Sequence, residues 1–218
     1  MDTTQHNLNM YNRYVQEYSD RFMDLALYGH TFDPLLEKLP AGARVLDLGC
    51  GPGNVIRYCT ARRPDLQFLG TDGAPEMIRT AEKENPGTSF RLLDIREAGR
   101  LKERFHAVIA SFCLPYLAPQ DMPGLFQSLA TLTADHGLVY LSCMEGPPER
   151  SGWEQTSFTG EHQLYISYYP RQEIESRLQQ HGFTVLQCFM QDYPEADGSV
   201  TTDLIYLAQK RTAPLPGL

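Results

Sequence analysis

Arg44-Val45-Leu46-Asp47-Leu48-Gly49-Cys50-Gly51-Pro52-Gly53-Asn54 decides how the chain is read. Val45, Leu46 and Leu48 form the apolar body of a short buried strand, and the glycines that follow mark an abrupt turn into a helix. Glycine accepts positive φ and lets a backbone approach a ligand with no Cβ in the way, while a helix opening near Gly53 offers free N–H groups. Such a corner suits a nucleotide. Its spacing, Asp-x-Gly-x-Gly-x-Gly from Asp47 to Gly53, narrows the choice. A dinucleotide fold calls for G-x-G-x-x-G with a pyrophosphate on the helix N-terminus, and a P-loop calls for Gly-Lys-Ser/Thr. This corner has neither.

Composition bounds the rest. A chain of 218 residues is long enough for one substantial core, since single domains commonly span roughly 50–250 residues, and one domain over residues 1–218 is expected. The net charge of −8, from 19 basic and 27 acidic residues, disfavours a nucleic-acid partner, whose phosphates would need a Lys- and Arg-rich surface. Cys50, Cys59, Cys113, Cys143 and Cys188 lie far apart with no Cys-x-x-Cys pair, which reads as reduced packing residues of a cytoplasmic protein. No metal site is expected. An apolar leader and a run of about 18 apolar residues are both missing, so neither secretion nor membrane spanning is supported.

Downstream of the corner, Val55 to Arg62 continues as a helix that stops before Pro64. Gln67 to Asp72 is a second strand, ending in a carboxylate about twenty residues past the glycines, the interval at which an acidic side chain accepts from a ribose diol. Asp72 also suits the cap of the helix that opens at Pro75, and both readings stay open. Ser89 to Ile95 is a third strand carrying Asp94, which alone would be a turn residue. Carboxylates at the ends of three successive strands are harder to dismiss, because strand ends on one edge of an open parallel sheet form the ligand crevice. His106 to Leu114 is a buried fourth strand, Asp121 to Leu132 a helix, and Gly137 to Met144 a fifth strand.

Residues 146–169 form a long connection holding Trp153, Phe158, His162, Tyr165, Tyr168 and Tyr169. Stretches of this length commonly serve as lids or binding loops, so a substrate cap is expected; a solvated loop with a short edge strand is the alternative. Pro170 opens a helix from Arg171 to Gln180 at its first position, and His181-Gly182-Phe183 closes it. Phe183 to Met190 and Thr202 to Ala208 make an antiparallel hairpin across residues 194–199, and residues 211–218 a frayed tail. Upstream, Leu8, Tyr11, Tyr18, Phe22 and Leu25 recur at helical spacing within residues 8–28, as one amphipathic helix or two short ones.

The VLDLGCGPG stretch at 45–53 resembles the first motif of the class I S-adenosylmethionine-dependent methyltransferases, and the resemblance runs from about Tyr11 to Lys210. It implies a Rossmann-like α/β fold with a seven-stranded, mostly parallel sheet, doubly wound, with one antiparallel strand in the C-terminal hairpin. It implies S-adenosyl-L-methionine as cofactor and a small-molecule methyl acceptor taking the methyl on oxygen or nitrogen, in a monomer or homodimer. Residues 1–30 would form an N-terminal helical lid, with Tyr18 either a lid residue or core. The backbone of Gly49, Gly51 and Gly53 would admit the aminocarboxypropyl arm, Asp47 would fix the turn and Asp72 would hold the ribose. Asp94 would accept from the adenine amino group, the Ile95 N–H would meet a ring nitrogen and Met77 would flank the ring, unless it is an ordinary core methionine. Ser111 and Phe112 fall where the backbone passes the methionine moiety, and Cys50 and Gly73 complete the cofactor-binding set.

Two departures from the family pattern matter. His106 stands where the family usually has Asp, at the start of its strand, and reads as structural. Leu114-Pro115-Tyr116 is not the Asn/Asp-Pro-Pro-aromatic signature of enzymes that methylate exocyclic amines of bases or glutamine. If the acceptor must lose a proton, a base is expected in the cap, His162 first and Tyr168 second. A nicotinamide dehydrogenase or a non-catalytic S-adenosylmethionine-binding protein would share much of this pattern. The hairpin and Asp94 argue against the first, and turnover separates the second.

Overall fold

A computed structural model describes residues 2–156, 158–195 and 198–212. The strands are β1 (Arg44–Leu48), β2 (Gln67–Asp72), β3 (Ser89–Leu92), β4 (Phe105–Ala110), β5 (Thr133–Glu145), β6 (Gly152–Gln155), β7 (Gln163–Ile166), β8 (Tyr168–Tyr169), β9 (Phe183–Pro194) and β10 (Val200–Lys210). The main sheet runs β3-β2-β1-β4-β5-β10-β9, with β8 paired to the end of β5. β1 through β5 pair in parallel, and β10 lies antiparallel to both β5 and β9. The expected doubly wound sheet with one antiparallel strand is present, and β8 adds a short eighth member.

Among the described residues seven α-helices cover it: α1 (Thr3–Arg13), α2 (Val15–Phe22), α3 (Gly29–Lys38), α4 (Asn54–Arg62), α5 (Pro75–Glu84), α6 (Met122–Leu132) and α7 (Arg171–Gln180). Alternate strand residues feed two cores. Leu46, Val108, Ala110, Val139 and Leu141 pack under α6 and α7, while Val45, Ala107, Ile109, Leu138 and Tyr140 pack under α3 and α4. Burial on both faces is why these strands read as continuous apolar runs in the sequence.

Local chemistry moves several expected boundaries. β3 stops at Leu92 because the Asp94 carboxylate accepts the Arg96 N–H at 2.9 Å and starts a 3-10 turn over Ile95–Arg100. β4 stops at Ala110, since Phe112 takes φ 51° and donates its N–H to Ser142 Oγ at 2.8 Å. β5 begins four residues early, and His136 at φ 60° absorbs the irregular register against β4. The turn before α6 is 3-10 over Pro119–Asp121, and Pro170 is the cap of α7 rather than its first residue. The N-terminal segment is two helices, α1 and α2, broken at Tyr14, where φ −114° and ψ 38° leave the helical region. The 146–169 connection contains an antiparallel hairpin, β6 with β7. Of the expected tail, residues 213–218 lie outside the described residues, as do Ala196 and Asp197 of the hairpin turn. The five cysteines are unpaired, and no helix among the described residues is long and apolar enough to cross a membrane.

α3 is locked down by one aromatic pair. The Phe32 ring stacks on Tyr140 with centroids 4.2 Å apart, and the Thr31 and Tyr140 hydroxyls lie 2.7 Å apart. Thr31 already donates to the Tyr28 carbonyl, so the Tyr140 hydroxyl is the donor to Thr31. Both rings are fully buried. Phe32→Ala is expected to cost about 3–5 kcal/mol of stability, and Tyr140→Phe, which loses only the hydrogen bond, about 0.5–1.5 kcal/mol. Urea unfolding midpoints at constant slope would measure both.

Candidate functional site

The corner after β1 is tied to β2 by backbone and carboxylate together. The Cys50 N–H donates to the Thr71 carbonyl at 2.9 Å and the Gly51 N–H to Asp72 Oδ2 at 2.9 Å, while Asp72 Oδ1 accepts the Ala74 N–H at 2.8 Å. Gly49 and Gly51 sit at φ 68° and 53°, where a side chain would be strained, and a Cβ on Gly51 would come nearest the Tyr18 ring, at 3.8 Å. Asp72, not Asp47, therefore fixes this turn. It is not the cap of α5, a position held by Ala74, although its bond to the Ala74 N–H orders the approach to that helix.

Asp47 is 1% exposed, and its Oδ2 meets no donor among the described residues. Burial first, then the neighbouring Asp72 carboxylate, hold its carboxyl well above the usual range. Asp72 is raised too by burial, against the downward pull of the N–H groups it accepts. A buried acceptor with no internal partner is uncommon and calls for an explanation.

Two adjoining hollows meet at this corner. The larger, of about 450 Å³, is lined by Asp47, Gly49, Cys50 and Gly51 on one side and by Glu154, Phe158, Tyr168 and Asp203 among others. The smaller, of about 110 Å³, is lined by Asp72, Gly73, Met77, Asp94 and Ile95 under Leu8 and Tyr11 of α1. Tyr18, Gly49, Gly51, Ser111, Phe112 and Tyr116 belong to both. The Asp94 carboxylate is gripped by Arg96, whose Nη2 lies 2.6 Å from Oδ2, and Arg96 in turn reaches Asp2 at the start of α1 at 2.8 Å.

Two expected site residues fall elsewhere. Gly53 lines neither hollow; at φ 81° it caps α4 and packs on Asn85 and Ala81, where a Cβ would lie 2.3 Å from Asn85 Nδ2. His162 lines neither hollow: its ring packs on Tyr14, with its Nε2 against the Tyr14 hydroxyl. His162 sits in the bend just before β7 and turns to the N-terminal helices, so a base facing an acceptor must be sought elsewhere. Tyr168 does line the larger hollow, buried, with its hydroxyl donating to Glu154 at 3.2 Å.

Tyr28, Tyr116, Tyr193 and Asp203, all in the wall of the larger hollow, are not among the expected site residues. Only Asp203 left a signal: it is the one charged residue in the run Thr202 to Ala208.

This architecture recurs in known proteins. Over 63 residues, 28% of the chain, it is 44% identical to a trans-aconitate 2-methyltransferase of Methylobacterium nodulans, covering 24% of that protein. Over 123 residues, 51% of the chain, it is 30% identical to the trans-aconitate 2-methyltransferase of Yersinia pestis, covering 46% of it. The matched stretch thus spans less than half the length of these curated relatives. The structure of magnesium protoporphyrin IX methyltransferase from Synechocystis PCC 6803 with bound SAM superposes with a TM-score of 0.68 at 17% identity, covering 97% of this chain and 98% of that one, a likeness of fold. Residues 12–188 match the family model described as a methyltransferase domain, and the chain belongs to that family.

Proposed function

We propose that the chain transfers the methyl group of S-adenosyl-L-methionine to an oxygen or nitrogen of a small-molecule acceptor. The observation that carries this reading is the orphaned Asp47 carboxyl at a left-handed glycine corner shared by two hollows. A cationic ligand with an amino group answers the missing donor, and the corner has no Cβ to keep it out. Each Asp72 oxygen accepts a backbone N–H, from Ala74 and from Gly51, and a carboxylate offers about four lone-pair sites, so it can still accept the ribose hydroxyls. Met77, Asp94 and Ile95 around the smaller hollow would hold the adenine, and Ser111 and Phe112 would border the methionine arm. When bound, the cofactor supplies an electrophilic sulfonium methyl, and the chemistry of transfer is largely its own. The protein's part is to orient, exclude water and manage a proton. Well-oriented reactants gain about 7–11 kcal/mol from positioning.

Residues 1–30 would act as the lid and 146–169 as the acceptor cap within one domain over 1–218. In support, Asn7 of α1 donates to the carbonyls of Tyr116 and Tyr165 at 2.9 and 2.8 Å and accepts the Tyr165 N–H, so lid and cap are joined directly. The relatives' name, trans-aconitate 2-methyltransferase, supports a small-molecule acceptor class. A pyrophosphate ligand is less well served: one of the free N–H groups that open α4, that of Val55, donates to the Asn54 side chain at 2.9 Å.

Calorimetric titration tests the reading: S-adenosylmethionine and S-adenosylhomocysteine should bind and NADH should not, the reverse result sinking it. Asp72→Ala should weaken S-adenosylhomocysteine binding by roughly 1.5–3 kcal/mol, the range for hydrogen bonds to a charged group; unchanged affinity would remove Asp72 from the site. Asp47→Asn should separate stability from binding. A carboxyl whose folded pKa is raised binds protons more tightly when folded, so its contribution to stability falls as pH climbs above about 4, the unfolded value. At pH 8 the variant should therefore melt higher than the native chain, converge with it near pH 4, and bind S-adenosylmethionine more weakly.

A further inference from the structure

The part of the larger cavity walled by β9 and β10 contains a second buried carboxyl with a vacant acceptor. Asp203 is 2% exposed; its Oδ2 accepts the Tyr28 hydroxyl at 2.7 Å, and its Oδ1 meets no donor among the described residues. Its position follows from the sheet, where it pairs with Met144 of β5 on one side and Gln191 of β9 on the other. Among the described residues it forms no ion pair. Arg21 is the only basic side chain among the described residues of the cavity wall, and its guanidinium is turned to the Tyr193 hydroxyl at 2.7 Å. Arg150 stacks over the Tyr168 ring, 4.0 Å from its centroid, and donates to Thr201. Asp24, Glu154 and Glu195 share the wall, adding negative charge around Asp203. The same wall carries the rings of Tyr18, Phe22, Tyr28, Phe112, Tyr116 and Phe158.

We propose that Asp203 is a catalytic residue that binds an amine acceptor, entering as its ammonium ion, and takes the proton the nitrogen must lose before methyl transfer. The inference rests on the methyl-transfer reading above and names its acceptor class: a primary or secondary amine. A carboxylate-rim, aromatic-wall cavity attracts a cation through both the charges and the ring faces. An acceptor with several carboxylates would instead meet Asp24, Glu154, Glu195 and Asp203 with one engaged guanidinium to offset them. The proton passes from nitrogen to Oδ1, leaving a lone pair. That pair forms the N–C bond as the C–S bond breaks, its electrons staying on sulfur, and Asp203 is left protonated until it loses the proton to solvent. Burial, with Glu195 and Asp192 adding to it and the Tyr28 hydroxyl opposing it, lifts the Asp203 carboxyl to about 7. A base tuned near the working pH transfers protons most efficiently.

The test uses the whole chain. S-adenosylhomocysteine release is measured with primary and secondary amines, each beside the alcohol and carboxylate of the same skeleton, phenethylamine, 2-phenylethanol and phenylacetate among them, and with trans-aconitate. Release confined to amines is expected. Transfer to carboxylates or trans-aconitate with the amines inert overturns the proposal, as does silence of every amine while S-adenosylhomocysteine binds. Failure of S-adenosylhomocysteine to bind at all would overturn the methyl-transfer reading instead, and this inference with it. Asp203→Asn, which keeps an acceptor for Tyr28, should lower kcat by about 10²–10⁴-fold, abolish the rise of kcat through pH 7, and weaken amine binding to the S-adenosylhomocysteine complex by calorimetry. Tyr28→Phe removes the donor that favours the charged carboxylate and should move that rise to higher pH. A full rate and an unchanged pH profile in both variants would exclude Asp203 from the reaction.

Discussion

One carboxylate holds the site in shape. Asp72 reaches from the end of β2 to the Gly51 N–H of the glycine corner and to the Ala74 N–H before α5, at 2.9 and 2.8 Å. Through those two bonds the strand end, the corner and the next helix keep a fixed relation, and both hollows are defined by it. The corner can be drawn so tight only because Gly49 and Gly51 occupy left-handed backbone that a side chain would strain. Every group further out, from the Asp94–Arg96 pair to the Tyr18 ring over Gly51, takes its position relative to this frame.

Within the frame the protein keeps two carboxyls, Asp47 and Asp203, buried with an oxygen unpartnered, both in the wall of one cavity. Each costs stability, since an unsatisfied buried polar group carries a desolvation penalty of about 1–3 kcal/mol and more when charged. A fold can carry such groups where a ligand supplies the missing donor. Asp47 comes from β1 and Asp203 from the antiparallel strand β10, so one cavity wall draws on the first and the last strand in chain order. Negative charge from both favours cationic ligands in that cavity, which agrees with a cationic donor and an amine acceptor.

What the sequence disclosed, and what it hid, divides along local and long-range causes. β2, α4 and α7 were readable because prolines at 64, 75 and 170 and the His181-Gly182-Phe183 stop act within a few residues. The glycine corner and the carboxylate that ends β2, Asp72, were readable for the same reason, whereas Asp47 lies inside β1 and Asp94 beyond the end of β3. α3 was passed over: Pro34 sits inside it, and its stability comes from the Phe32–Tyr140 stack across more than a hundred residues of chain. Asp203 looked like one charge in an apolar strand, because its burial and its orphaned oxygen arise only when β9, α3 and the cavity close around it. His162 misled for the converse reason. A histidine in an aromatic-rich connection suggests chemistry, yet this one lies against the Tyr14 hydroxyl.

The roof of the site is held differently from its floor. α2 buries no residue fully, and the only fully buried residues of α1 are polar, Thr4 and Asn7. Thr4 donates to Asp121 at 2.8 Å and accepts the Ala118 N–H, Asn7 bridges Tyr116 and Tyr165, and Asn12 accepts the Glu76 N–H at the start of α5. The floor is an apolar sheet core, and the roof is fastened by a handful of hydrogen bonds, each worth about 0.5–1.5 kcal/mol net. Elements with few buried apolar contacts belong to the low-stability end of a fold and open first. Opening α1 and α2 would break these bonds while leaving the strand ends, Asp72 and the glycine corner in place. The floor stays organised whatever α1 and α2 do, and Asn7, bonded to both Tyr116 and Tyr165, ties α1 to β7 and to the turn at Tyr116.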